Sequence, residues 1–181
     1  MFLTITGGRF RGRKIKVSHS RNLRPTRHLV REALFDILQA RVTLTGCRFL
    51  DWCAGSGAVG IEAFSRGAAF VEFVEKDRKL RAGIRRNLKG LGIEEDFRLS
   101  AVFPHGRDFD LLFADPPYAE EALARRILDV AGALVKPGGW IVIETEGTFS
   151  DFGEDPREWS RYRYGETVLH CCQVPSRDPG E

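Results

Sequence analysis

The chain has 181 residues, 43% of them hydrophobic and 29% charged, which is enough for one domain with a proper core and ordinary for a globular protein. Its apolar runs fall far short of a membrane span and no leader-like segment opens it. Its four cysteines form no CxxC pair and no zinc-spaced cluster with histidine, so a cytoplasmic protein with buried thiols and no metal is expected.

The net charge of +3 is unevenly spread: residues 1–31 hold nine Lys/Arg and no acid, while the remainder holds nineteen basic and twenty-five acidic residues. A cationic arm on an anionic body suits a phosphate polymer as partner. The arm is not a low-complexity tail. Phe2, Leu3, Ile5, Phe10, Ile15 and Val17 have strand-like spacing, which predicts strands over 2–6 and 13–17 with turns at Gly7-Gly8 and Gly12. Arg24-Pro25-Thr26 then leads into an amphipathic helix, whose apolar face is Val30, Ala33, Leu34, Ile37 and Leu38.

From Arg48 the pattern becomes strand–helix alternation. Strands are predicted over 48–52, 69–75, 97–100, 109–114 and 140–144, the last after a Pro137-Gly138-Gly139 turn. Helices are predicted over 57–66, 77–91 and 120–134, and a hairpin around Gly165 closes the chain. Such alternation implies a largely parallel α/β sheet covered on both faces, with its ligand beyond the carboxyl ends of the strands. Three motifs fall at those ends.

The first is Asp51-Trp52-Cys53-Ala54-Gly55-Ser56-Gly57. Its glycines allow a tight turn and close approach of a ligand. A GxG loop also serves dinucleotides, but Asp51 would repel a pyrophosphate and would suit the cationic amino-acid end of S-adenosylmethionine. The second is Glu75, closing the second strand of the alternation, where an acid can accept ribose hydroxyls. Glu72, its neighbour within the strand, reads as a face residue. The third is Asp115-Pro116-Pro117-Tyr118, directly after an apolar strand. An exocyclic amine on a base is a poor nucleophile, because its lone pair is delocalised into the ring. Asp115 and a carbonyl of the Pro-Pro segment can accept its hydrogens and hold it in line, and Tyr118 offers a stacking face.

With these motifs in this order, the chain resembles class I methyltransferases directed at amines. Gly7-Gly8, Gly12-Arg13, Arg24-Pro25-Thr26 and Val30-Arg31-Glu32-Ala33-Leu34-Phe35 extend the resemblance to the bacterial small-subunit ribosomal RNA guanine-N2 methyltransferases. The resemblance implies a Rossmann-like, mostly parallel seven-stranded sheet with its last strand antiparallel and helices on both faces. A basic N-terminal hairpin and helix (1–40) would extend a methyltransferase domain (41–181). It implies S-adenosylmethionine held by Thr26, Asp51, Ala54, Gly55, Ser56, Gly57, Glu75, Lys76, Ser100 and Ala101. The target base would meet Asp115, Pro116, Pro117 and Tyr118, and RNA would meet Arg9, Arg11, Arg13, Lys14 and Arg24. Two positions depart from the family pattern: His28 replaces an Asp, and Ser100 stands where an Asp or Asn often precedes Ala101. The implied partner is ribosomal RNA or the small ribosomal subunit, with no membrane and no metal, and the enzyme is expected to act as a monomer. The alternatives are a DNA adenine-N6 methyltransferase, for which 181 residues leave no room for a separate target-recognition domain, and a non-catalytic RNA-binding module, which would have no need of Asp51, Glu75 and Asp115. A protein glutamine methyltransferase more often has Asn in place of Asp115.

Overall fold

The computed structural model describes residues 1–17, 26–117, 120–147, 155 and 157–176, with Thr26 and Arg27 described by their backbone alone. Strands β1 (Phe2–Thr4) and β2 (Lys14–Lys16) form an antiparallel hairpin around a 3-10 turn at Gly8–Phe10. Helix α1 (Thr26–Gln39) follows. The body then alternates: β3 (Arg48–Trp52), α2 (Ala58–Ser65), β4 (Phe70–Val74), α3 (Arg78–Gly90), β5 (Phe97–Ser100), β6 (Phe109–Ala114), α4 (Glu121–Leu134) and β7 (Val135–Glu146), before the closing hairpin β8 (Ser160–Tyr164) and β9 (Thr167–Gln173).

Seven strands form one sheet in the order β5-β4-β3-β6-β7-β9-β8. All neighbouring pairs are parallel except those of β9, which runs antiparallel to both β7 and β8. This is a Rossmann-like, doubly wound sheet as expected, and its strand order reverses between β3 and β6. Alternate side chains sort the two faces. Phe49, Val71, Phe73, Leu111, Phe113 and Val142 pack against α1, α2, α3 and the N-terminal hairpin. Leu50, Trp52, Leu112, Ala114, Ile141 and Ile143 pack against α4. Burying both faces explains why β6 is nearly all apolar.

The boundaries differ from the sequence pattern where turns intervene. The Pro137-Gly138-Gly139 turn lies within β7 rather than before it: Phe109 pairs with Val135 and Leu111 with Trp140, so the glycines are looped out as a bulge. Helix α1 starts at Thr26, as the Pro25-Thr26 lead-in predicts.

The N-terminal hairpin is docked, not loose. Glu62 on α2 is 1% exposed. Its carboxylate accepts the backbone N–H groups of Thr6 (3.0 Å) and Gly7 (2.7 Å) and the Thr6 hydroxyl (2.6 Å). It also pairs with Arg66 (3.1 Å) and with the buried Arg31 of α1 (3.5 Å), which in turn donates to the Thr4 carbonyl (2.8 Å). Ser65 accepts from the Phe10 N–H at 2.9 Å and donates to the Gly7 carbonyl. Gly8 sits at φ +73°, and a Cβ there would lie 1.8 Å from the Ser65 carbonyl oxygen, so nothing larger fits this contact.

Removing one partner of such a network strands the rest. Glu62→Ala should lower the unfolding free energy by about 3–5 kcal/mol and expose the Thr6 and Gly7 amides to hydrogen exchange. Urea denaturation reads the first effect. A loss below about 1 kcal/mol would show that apolar contacts alone hold the hairpin.

Candidate functional site

The site lies where the order of the sheet reverses, beyond the carboxyl ends of β3 and β6, the crevice in which open α/β sheets bind ligands. The β3–α2 loop enters it first. Cys53 takes a left-handed backbone (φ 63°), turning the chain over the strand ends, and Gly57 caps α2. Asp51 points under this loop. It is buried, and its Oδ2 accepts the Gly60 N–H at 2.9 Å. A Cβ on Gly60 would meet the Phe73 ring at 2.3 Å, so the glycine is what lets α2 press onto the sheet.

Glu75 follows β4 and braces the same loop. One of its oxygens accepts from Gly55 N–H and the other from Asp77 N–H, each at 2.8 Å. Asp77 caps α3 by accepting from Lys79 and Leu80, and Lys76 pairs with Glu120 just ahead of α4. Glu72 is more than a face residue. Fully buried, it accepts the Ser100 hydroxyl (2.5 Å) and the backbone N–H groups of His105 (2.7 Å) and Gly106 (2.9 Å), fixing the loop after β5. The Ser100 side chain is therefore committed inside the sheet, while Ala101 beside it is exposed.

At the end of β6, Asp115 donates its N–H to the Trp52 carbonyl at 3.2 Å, which ties the third motif to the first. Pro116 is buried and Pro117 is exposed. The Pro117 carbonyl accepts from Glu120 N–H at 2.8 Å. Tyr118 lies outside the described residues. Glu144 was not expected. Ala114 pairs with Ile143, so Glu144 of β7 stands beside Asp115 in the adjoining strand.

One cavity gathers part of this set, and Gly57, Glu75, Lys76, Ser100 and Ala101 are not in its lining. Asp51, Cys53, Ala54, Gly55, Ser56, Asp115 and Glu144 line its base, and Leu3, Val30, Arg31 and Leu34 roof it from the hairpin and α1. Three acids thus face one guanidinium, and that guanidinium is held by Glu62. Burial, reinforced by the charges of Asp115 and Glu75, pushes Asp51 up to about 8. Burial and the same carboxylates push the Cys53 thiol up to about 12, so it is no nucleophile. A ligand with a positive end would offset the crowding of carboxylates, whereas a phosphate would add to it. Among the described residues no cluster of potential ligands could hold a metal ion, and no helix is long and apolar enough to cross a membrane.

The expected RNA contacts are divided. Arg9, Arg11, Arg13 and Lys14 are exposed on the hairpin, Arg9 lying 4.7 Å over the Phe10 ring. Arg24 lies outside the described residues, as does the Thr26 side chain. Arg31, counted by charge within the basic arm, is instead buried in the Glu62 network. Glu144 carried a signal that could have been used: it ends the apolar run of residues 140–143, although β7 itself continues to Glu146. Glu62 carried little beyond being the one acid in an otherwise apolar helix.

Residues 3–173 match the model of a family described as Conserved hypothetical protein 95. The chain is 34% identical to the ribosomal RNA small subunit methyltransferase D of Buchnera aphidicola, over 88% of this chain and 85% of that protein. It is also 34% identical to the Escherichia coli K12 protein of the same name, over 89% and 83%. A solved structure of a hypothetical protein from Thermus thermophilus is 33% identical, superimposes with a TM-score of 0.78, and is covered over 99% of its length by 95% of this chain.

The raised pKa of Asp51 has a sign that can be tested. The folded state keeps the proton up to about pH 8, whereas the unfolded chain loses it near 3.8. This contribution to stability is therefore present below pH 4 and is lost as pH rises through 8. Asp51→Asn keeps an acceptor for Gly60 N–H but cannot ionise. The melting temperature of the variant minus that of the wild type should climb between pH 4 and pH 8 in the absence of ligand. A constant difference across that range would place an ordinary carboxylate in the pocket.

Proposed function

Because the chain belongs to the Conserved hypothetical protein 95 family, we propose that it transfers a methyl group from S-adenosylmethionine to the exocyclic N2 amine of a guanine in small-subunit ribosomal RNA. The names of the two relatives above support the ribosomal RNA methyl transfer. The pocket supports the donor. Asp51 and the Cys53–Gly57 loop suit the cationic methionine end, Glu75 the ribose hydroxyls, and the backbone around Ala101 the adenine edge, since the Ser100 hydroxyl serves Glu72. Bound there, the donor supplies a methyl group on a positively charged sulfur.

The observation that carries the guanine reading is the pair Asp115 and Glu144, acids at neighbouring positions of adjoining strands that line one cavity. The Watson–Crick edge of guanine presents two neighbouring donors, N1–H and the N2 amine. Two carboxylates match it, one taking hydrogens from N2 and the other from N1, as charge-assisted bonds in a sheltered site. Asp115 and a carbonyl of the Pro116-Pro117 segment hold the amine so that its lone pair faces the methyl, and Asp115 can take the proton released as the N–C bond forms. Adenine presents an N1 acceptor beside its amine. Glu144 would face that lone pair with another, which disfavours adenine-N6 transfer. A non-catalytic RNA-binding module would gain nothing from acids whose burial is costly.

Asp115→Ala should lower transfer by about 100-fold to 10,000-fold and leave donor affinity within a few-fold. Equal loss of both would remove Asp115 from the base. Glu144→Gln should lower kcat/KM by roughly 10-fold to 100-fold, the worth of one specific base contact. It should also narrow the preference for guanine over 2-aminopurine, which has the amine but lacks N1–H. Wild-type discrimination between these bases in small-subunit particles reconstituted with either one at the target would take Glu144 out of base recognition.

A further inference from the structure

We infer that the RNA grip is not the N-terminal arm alone but one cationic face shared by β2 and the outer side of α3; this rests on the ribosomal RNA reading above. The charge asymmetry of the sequence hides it, because the body after residue 31 is acidic overall. Within that body, α3 carries Arg78, Lys79, Arg81, Arg85, Arg86 and Lys89 and no acid. Ile84 and Leu88 turn its inner side to the core, which leaves the charges outward. Two of the six have structural work: Arg81 donates to the carbonyls of Glu75 and Lys76, and Arg85 lies over the Phe97 ring. Lys79, Arg86 and Lys89 are exposed.

The hairpin is fastened beside them. The Asn87 side chain accepts from Lys16 N–H at 3.0 Å and donates to the Lys16 carbonyl at 2.9 Å. Arg13 donates to the Gly90 carbonyl at 2.9 Å. Ile15 is buried, so the alternation of the strand turns Lys14 and Lys16 on either side of it outward. Strand β2 thus lies along the C-terminal half of α3, and the two basic sets adjoin. Glu94, Glu95 and Asp96 bound the face beyond the end of the helix.

Like charges three and four residues apart weaken a helix when no acid separates them, as Arg86 and Lys89 or Arg85 and Lys89 do here. A polyanion offsets that repulsion and releases counterions when it binds. The N-terminal end of α3 adjoins the loop that lines the pocket, because Glu75 accepts from both Asp77 N–H and Gly55 N–H. A phosphate backbone lying on this face would therefore run towards the site of transfer.

The triple variant Lys79→Ala/Arg86→Ala/Lys89→Ala tests the inference, because alanine favours the helix and the fold should persist. The affinity of wild type and variant for protein-free small-subunit ribosomal RNA is measured between 50 and 200 mM KCl. The slope of log affinity against log salt should be shallower in the variant by about two to three, at about 0.7–0.9 per lost phosphate contact. Melting temperature should be no lower than that of the wild type, and S-adenosylmethionine affinity should match it. An unchanged slope, with methyl transfer by the wild type intact, overturns the shared face and leaves the reaction standing. A wild type that binds no ribosomal RNA overturns both.

Discussion

One buried carboxylate sets the geometry of everything above the sheet. Glu62 accepts from the backbone of Thr6 and Gly7 and pairs with Arg31 and Arg66, so a single side chain on α2 joins the hairpin and α1 to the body. A buried acid so placed is costly unless every partner is present, which makes the arrangement close to all-or-none. Its consequences reach the site in two directions. Leu3, Val30, Arg31 and Leu34, which roof the pocket, come from the elements that Glu62 ties down. The same docking lays β2 along α3, where Asn87 and Gly90 receive it.

Beneath that roof the chemistry is governed by crowded acids. Asp51, Asp115 and Glu144 line one cavity, and Arg31, the cation among them, is already engaged by Glu62. This crowding adds to the burial that already pushes Asp51 above the usual carboxylate range. A ligand with a positive end, or a base edge rich in donors, would relieve it. On the proposed reaction, donor and acceptor recognition would draw on the same excess of carboxylate, which would tie binding of the two substrates to one electrostatic cause.

Much of this was legible in the sequence. Periodicity placed the strands and helices of the body, and strand-end logic singled out Asp51 and Asp115, which line the cavity, and Glu75, which braces its loop, because each is a local feature: an acid at the end of an apolar run. What escaped was non-local. Glu62 and Thr6 are 56 residues apart, and no pattern within α2 announces that its acid faces inward. Glu72 reads as a face residue until the loop of His105 and Gly106 folds over it. Arg31 counts as part of a basic arm, yet it is buried. The cations of α3 vanish into a net-negative average when charge is summed along the chain. Such a sum cannot see that β2 and α3 become neighbours. The Pro137-Gly138-Gly139 turn was found but misplaced, because a bulge and a connecting turn share the same residues.

The most direct test of guanine-N2 transfer is the identity of the methylated nucleoside. The protein would be incubated with S-adenosylmethionine labelled in its methyl group and with small ribosomal subunits lacking the modification, and the RNA then digested and separated. Label in N2-methylguanosine is the expected result, and label in N6-methyladenosine, or none in RNA at all, would contradict it.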